Sequence, residues 1–177
     1  MPLAGLFPKN LIFVLVNHLA MTERKISIKY TEYASLSELS QGDRELAQAA
    51  IDAIQGSYAP YSHFNVGAAV RLSGGDIVTG ANQENAAFPS SLCAERTAMF
   101  SAGASHPDEA MVSIALAGSS DGVLTGTPAT PCGSCRQVMA QYQLKGGQPM
   151  SVIMVGADRI WKFDRVDDIL PLIFDSI

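Results

Sequence analysis

Two apolar runs, Val66-Gly67-Ala68-Ala69-Val70-Arg71-Leu72 and Ile77-Val78-Thr79-Gly80-Ala81, flank the polar turn Ser73-Gly74-Gly75-Asp76. Strand-like runs on either side of such a turn predict a β-hairpin. Upstream, Ser40 followed by Asp43 resembles a capping box with Asp in place of Glu or Gln. Leu46, Ala50, Ile51 and Ile54 then recur at helical spacing until Gly56. Downstream, helices are predicted over 93–104 and 132–143 and strands over 111–117, 151–155 and 159–163. A turn of helix follows at 167–170. The order α-β-β-α-β-α-β-β-α predicts an α/β fold, a mixed sheet of about five strands with helices on its faces.

The composition agrees with one compact domain. The chain has 177 residues, of which 47% are hydrophobic and 16% charged, enough to bury a core without staples. Seventeen acidic and twelve basic residues leave a net charge of −5. A protein that grips nucleic acid through phosphates needs a basic face, so this balance argues against a nucleic-acid partner.

The segment before the capping box is different. Residues 1–39 read as an N-terminal extension, and 40–177 as a single domain. Leu11 to Val16 is an apolar run broken by Asn17 and His18, far short of the ~20 residues of a membrane-spanning helix. Only Lys9 precedes that run, and no small-x-small cleavage site stands near Ala20. Met21-Thr22-Glu23-Arg24-Lys25 then opens a polar segment typical of a cytosolic start. Residues 1–20 are read as a non-native or misassigned start, the alternative being a peripheral strand or helix.

The chemistry is concentrated in two short segments, Cys93-Ala94-Glu95 and Pro131-Cys132-Gly133-Ser134-Cys135, which hold all three cysteines. An odd count in a chain of this size argues against a secreted disulfide scaffold. A Cys-x-x-Cys pair alone is shared by redox motifs and zinc sites. A closed structural zinc site takes four protein ligands, whereas three leave one position open, as in a catalytic zinc site. Both segments open predicted helices, where the dipole and free N–H groups favour a thiolate. Cys132 and Cys135, three apart, face the same way on one turn. Three thiolates around Zn²⁺ leave a net negative charge that nearby cations should offset. Arg96 is the first candidate and Arg136 the second, the alternative for each being a solvated helix arginine. Glu95, beside the first cysteine, is placed to move protons and not to ligate.

On these motifs the chain resembles the zinc-dependent cytidine deaminases of the small homotetrameric type. The segments Ala59-Pro60-Tyr61-Ser62-His63-Phe64-Asn65-Val66-Gly67-Ala68-Ala69, Asn82-Gln83-Glu84-Asn85-Ala86, Cys93-Ala94-Glu95-Arg96-Thr97-Ala98 and Pro131-Cys132-Gly133-Ser134-Cys135-Arg136-Gln137-Val138 carry the resemblance. It runs from about Ser40 to near the C-terminus. The resemblance implies a three-layer α/β/α fold and one Zn²⁺ per subunit held by Cys93, Cys132 and Cys135. Glu95 would be the catalytic proton shuttle, as in the hydrolytic zinc deaminases, where the glutamate is not a ligand. Asn82 and Glu84 would bind the sugar 3′-hydroxyl, Phe64 would pack on the pyrimidine, and the Ala94 backbone would bond the base carbonyl. Arg96 would support the metal from outside the ligand set. The resemblance further implies a nucleoside substrate, a cytoplasmic homotetramer, and neither nucleic-acid nor membrane partners. Phe163 or Phe174 are candidate aromatics to cross between subunits.

Some features depart from the pattern or point elsewhere. Phe88 stands where relatives often carry tyrosine, which leaves it the role of apolar wall. His63 is read as a structural polar residue, and Met99, Met111 and Met139 as core. Two rival readings stand beside this one. One is a blasticidin S deaminase, which the segments around Phe64 and Asn82 fit less well. The other is a non-catalytic zinc-stabilised module, which needs a fourth protein ligand. His63 and His106 are its candidates, and neither has zinc-finger spacing.

Overall fold

In the computed structural model, which describes residues 22–175, the elements run β1 (Thr31–Tyr33), α1 (Gln41–Ala53), β2 (Phe64–Leu72), β3 (Ile77–Ala81), α2 (Ala94–Ser105), β4 (Met111–Ser120), β5 (Val123–Leu124), α3 (Gly133–Gly146), β6 (Ser151–Val155) and β7 (Ile160–Phe163). The reading of residues 1–20 falls outside the described part. Short 3₁₀ turns at Ile54–Gly56, Phe88–Ser90 and Val166–Asp168 punctuate the connections.

The hairpin forms as the sequence implies. Gly75 takes φ +104°, a left-handed value that costs glycine little. The Gly75 N–H donates to the Leu72 carbonyl at 3.0 Å. The Ser40 cap also forms, its hydroxyl accepting from the Asp43 N–H at 3.2 Å and donating to the Asp43 carboxylate at 2.8 Å.

The strands form one mixed sheet in the order β1-β7-β6-β4-β2-β3, with β5 paired to β4 outside this path. Only β4 and β6 run parallel; the other pairs are antiparallel. The sheet has seven strands and not five. The two extra strands, β1 and β5, are three and two residues long, too short to display an alternating pattern. β1 is set by tertiary contacts. Tyr30 stacks on Phe163 at 5.3 Å, and Trp161 Nε1 donates to the Glu32 carboxylate at 2.7 Å.

Strand alternation sends side chains to two unlike layers. Val70, Leu72, Ile114, Leu116, Val152 and Met154 meet α2 and α3 through Ala98, Met99, Met139 and Ala140. The other face carries Ala69, Ala115, Ala117, Ile153 and Val155 against Leu46, Ala47 and Ala50 of α1. Met99, Met111 and Met139 are buried in the first layer.

Small side chains let the helices approach closely. A Cβ on Gly67 would overlap the Ala50 carbonyl oxygen of α1. A Cβ on Gly80 would overlap the Ala98 nitrogen and lie 2.9 Å from the Ala94 oxygen. Gly80 therefore allows the first turns of α2 to rest directly on β3. This close approach brings the start of α2 over the sheet end that carries Asn82.

Candidate functional site

Helix starts build one end of the site. Cys93 is the N-cap of α2 and Cys132 the N-cap of α3, both in extended backbone. Cys135 follows in the first turn of α3 and is buried. The carbonyls of Cys93 and Cys132 accept from Thr97 N–H and Arg136 N–H, each at 3.0 Å, so each cysteine is locked to its helix. All three sulfurs lie within 4.8 Å of one another, and Cys132 Sγ is 3.5 Å from Cys135 Sγ. Tetrahedral thiolates at ~2.3 Å from a zinc ion sit roughly 3.8 Å apart. The donor set therefore fits Zn²⁺ in type and spacing.

No histidine or carboxylate joins this sulfur group among the described residues. His106 instead pairs with Glu109 at 3.3 Å, at the far end of α2. His63 is exposed, at φ 55° in the loop before β2. Both candidates for a fourth ligand are thus accounted for elsewhere.

Charge is arranged around the thiols. The Cys93 pKa is pulled down to about 5, first by its contact with the Cys135 thiol and then by Arg96. Contact with Cys93 and burial push Cys135 up. Arg96 Nη2 sits 3.7 Å from Cys93 Sγ, so the guanidinium lies against this thiol and not free in solvent. Arg136 does something different. Its Nε donates to the Pro131 carbonyl at 2.9 Å and its Nη1 to the Ile169 carbonyl at 3.0 Å. It braces the loop that presents Cys132.

Glu95 is 4% exposed. Burial, and secondarily the Cys93 charge, raise its carboxyl above the ordinary range, while a contact with Cys135 opposes this. A carboxyl held in this way exchanges protons more readily near neutrality than an exposed one. Ala94 begins α2, where the first N–H groups have no intrahelical partner.

Glu95, Cys93, Cys132 and Ala94 face a cavity of about 270 Å³ that also contains Phe64, Asn82, Glu84, Ser62, Ala129 and Thr130. Phe64 opens β2 and packs under Gly118, where a Cβ would come within 2.8 Å of its ring. Asn82 follows β3. Its Nδ2 donates to the Phe64 carbonyl at 3.0 Å and its Oδ1 accepts from Val66 N–H at 2.8 Å. Glu84 Oε2 accepts from the N–H groups of Tyr61 and Ser62 at 2.9 and 3.2 Å. Bonds from the Ser62 side chain and the Tyr61 backbone hold its carboxyl below the ordinary range.

Phe64, Asn82, Glu84, Cys93, Ala94, Glu95 and Cys132 thus border this cavity, and Cys135 and Arg96 touch its thiols. Others stand apart. Phe88 is 68% exposed and packs edge-on against Tyr61 at 5.7 Å, outside the cavity lining, so it is not an apolar wall there. Phe163 is buried in the core against Tyr30 and is not available to cross to another subunit. Phe174 is exposed. Sequence reading missed Ser62, Ala129 and Thr130. Small residues in loops carry no signal until the chain closes around them.

Comparison with known proteins agrees with this geometry. The family described as "Cytidine and deoxycytidylate deaminase zinc-binding region" matches residues 40–147. A cytidine deaminase of Halalkalibacterium halodurans is 46% identical over 100 residues, covering 56% of this chain and 71% of the relative. A probable cytidine deaminase of Dictyostelium discoideum is 35% identical over 138 residues, covering 76% and 87%. The crystal structure of cytidine deaminase from Burkholderia pseudomallei superposes with a TM-score of 0.62 at 35% identity, covering 77% of this chain and all of that one. With the match spanning more than half of its length and falling on the segments that build the cavity, the chain belongs to the cytidine and deoxycytidylate deaminase family with its zinc-binding region.

Proposed function

We propose that the protein is a zinc-dependent hydrolase that converts cytidine and deoxycytidine to uridine and deoxyuridine with release of ammonia. One observation supports this reading above the others. A buried glutamate stands beside three thiols at one end of a cavity, and a donor–acceptor pair, Asn82 and Glu84, stands at the other.

Cys93, Cys132 and Cys135 are the proposed zinc ligands, one ion per subunit. When bound, the ion supplies Lewis acidity that makes water a usable nucleophile near neutral pH. Glu95 takes the proton from the attacking water and passes it to ring N3 as C4 is attacked. Glu95 then takes the proton of the new C4 hydroxyl and delivers it to the amine, and the C4–N bond breaks as the C4 carbonyl forms, so that cytidine and water become uridine and ammonia. Arg96 offsets the thiolate charge. The Ala94 N–H binds the base carbonyl, Phe64 packs against the ring, and Asn82 and Glu84 hold the sugar 3′-hydroxyl. A hydroxyl both donates and accepts, so an amide paired with a carboxylate can read it.

The family resemblance also supports a cytoplasmic homotetramer. Among the described residues no helix is long and apolar enough to cross a membrane, and the net charge of −5 disfavours a nucleic-acid substrate. The test is the fall in ultraviolet absorbance of cytidine on incubation with the protein, with zinc measured on the same sample. Ammonia release in step with the absorbance change, at one zinc per chain, is the expected outcome. A zinc-replete sample without turnover would overturn the proposal.

A further inference from the structure

The loop before β2 is laced to the segment carrying Asn82 and Glu84. Tyr58 N–H donates to the Asn82 carbonyl at 2.9 Å, and Glu84 N–H donates to the Tyr58 carbonyl at 2.8 Å. Tyr61 and Ser62 N–H groups occupy Glu84 Oε2. The Ser57 hydroxyl donates to Asn82 Oδ1 at 2.5 Å, with Asn65 Oδ1 further away at 2.9 Å.

The orientation of the Asn82 amide follows from its backbone partners. Val66 N–H can only donate, so the atom it meets at 2.8 Å is the oxygen. The Phe64 carbonyl can only accept, so the atom at 3.0 Å is the nitrogen. An amide oxygen has two lone pairs. Val66 N–H takes one and the Ser57 hydroxyl the other. What Asn82 still offers to the cavity is one N–H.

We infer that Ser57 is a positioning residue that makes Asn82 a one-sided hydrogen-bond donor toward the nucleoside sugar, an inference that rests on the reading of Asn82 given above. Glu84, with Oε2 occupied, offers Oε1 as acceptor. The pair then presents one donor and one acceptor, the complement of a single hydroxyl. Without the Ser57 hydroxyl, one lone pair of Asn82 Oδ1 opens and the amide loses one of the three contacts that orient it.

The test compares cytidine with 3′-deoxycytidine on wild-type, Ser57→Ala, Ser57→Thr and Asn82→Ala proteins, with Tm recorded for each. Wild type should prefer cytidine, and Asn82→Ala should remove that preference. Ser57→Ala should raise KM for cytidine about three- to tenfold, the usual range for one neutral hydrogen bond. Its kcat should change little, and KM for 3′-deoxycytidine should stay level. Ser57→Thr, which keeps the hydroxyl, should restore cytidine KM. An unchanged cytidine KM in Ser57→Ala, or an equal rise for both substrates, overturns the role of Ser57 while the sugar reading stands. A wild-type enzyme with equal KM for both substrates overturns the sugar reading and this inference with it.

Discussion

The two ends of the cavity are built by different physical means. At the thiol end, functional groups sit on two helix N-termini, a few residues apart within each helix start, and charge dominates. Three sulfurs, a buried carboxyl and a guanidinium lie in contact there. At the proposed sugar end the groups are few, partly exposed, and held by hydrogen bonds from a separate loop, such as Tyr61 to Glu84 and Ser57 to Asn82. The first arrangement concentrates reactivity and the second concentrates recognition. Damage to the thiol end should therefore appear in kcat, and damage to the sugar end in KM.

Three substitutions test that division. The largest effect is expected from Cys135→Ala, which removes a buried sulfur of the proposed ligand set. Purified protein should lose its zinc and its turnover together, and full zinc content in this variant would remove Cys135 from the ligand set. Next is Glu95→Gln, which keeps the shape and removes the proton acceptor. Turnover should fall by about a thousandfold or more, since one group serves several proton transfers, while zinc content is unchanged. Near wild-type kcat would assign the proton chemistry elsewhere. The smallest of the three is Glu84→Ala at the other end. A lost bond to a charged group corresponds to roughly a ten- to hundredfold rise in KM, with kcat within about threefold. A kcat loss as large as that of Glu95→Gln would erase the distinction between the ends.

Legibility in the sequence follows the same line. The hairpin at Gly75, the Ser40 cap and the helices after Cys93 and Cys132 were readable because each is specified by neighbours within a turn or two. The edge strand Thr31–Tyr33 was not, because its place is set by Trp161 and Phe163, far along the chain. Phe163 shows the same limit. As an isolated aromatic near the C-terminus it suited an intersubunit contact, and only the packed sheet shows that Tyr30 covers it. Phe88 failed in the opposite direction, an apolar side chain left pointing outward against Tyr61.

The sequence by itself determined the cast of the thiol end. One cysteine beside a glutamate, and two more at helical spacing, point to the proposed three-ligand set with a proton carrier, because local helix geometry already orients them. It also pointed, by resemblance, to Asn82 and Glu84 as the proposed sugar-binding pair. The tertiary structure alone decided that Arg96 lies on Cys93 whereas Arg136 braces Pro131 and Ile169. It also decided that Asn82 keeps a single donor for the cavity. The reason is physical: hydrogen-bonding capacity is finite, and which part of it remains for a substrate depends on every neighbour the fold brings near.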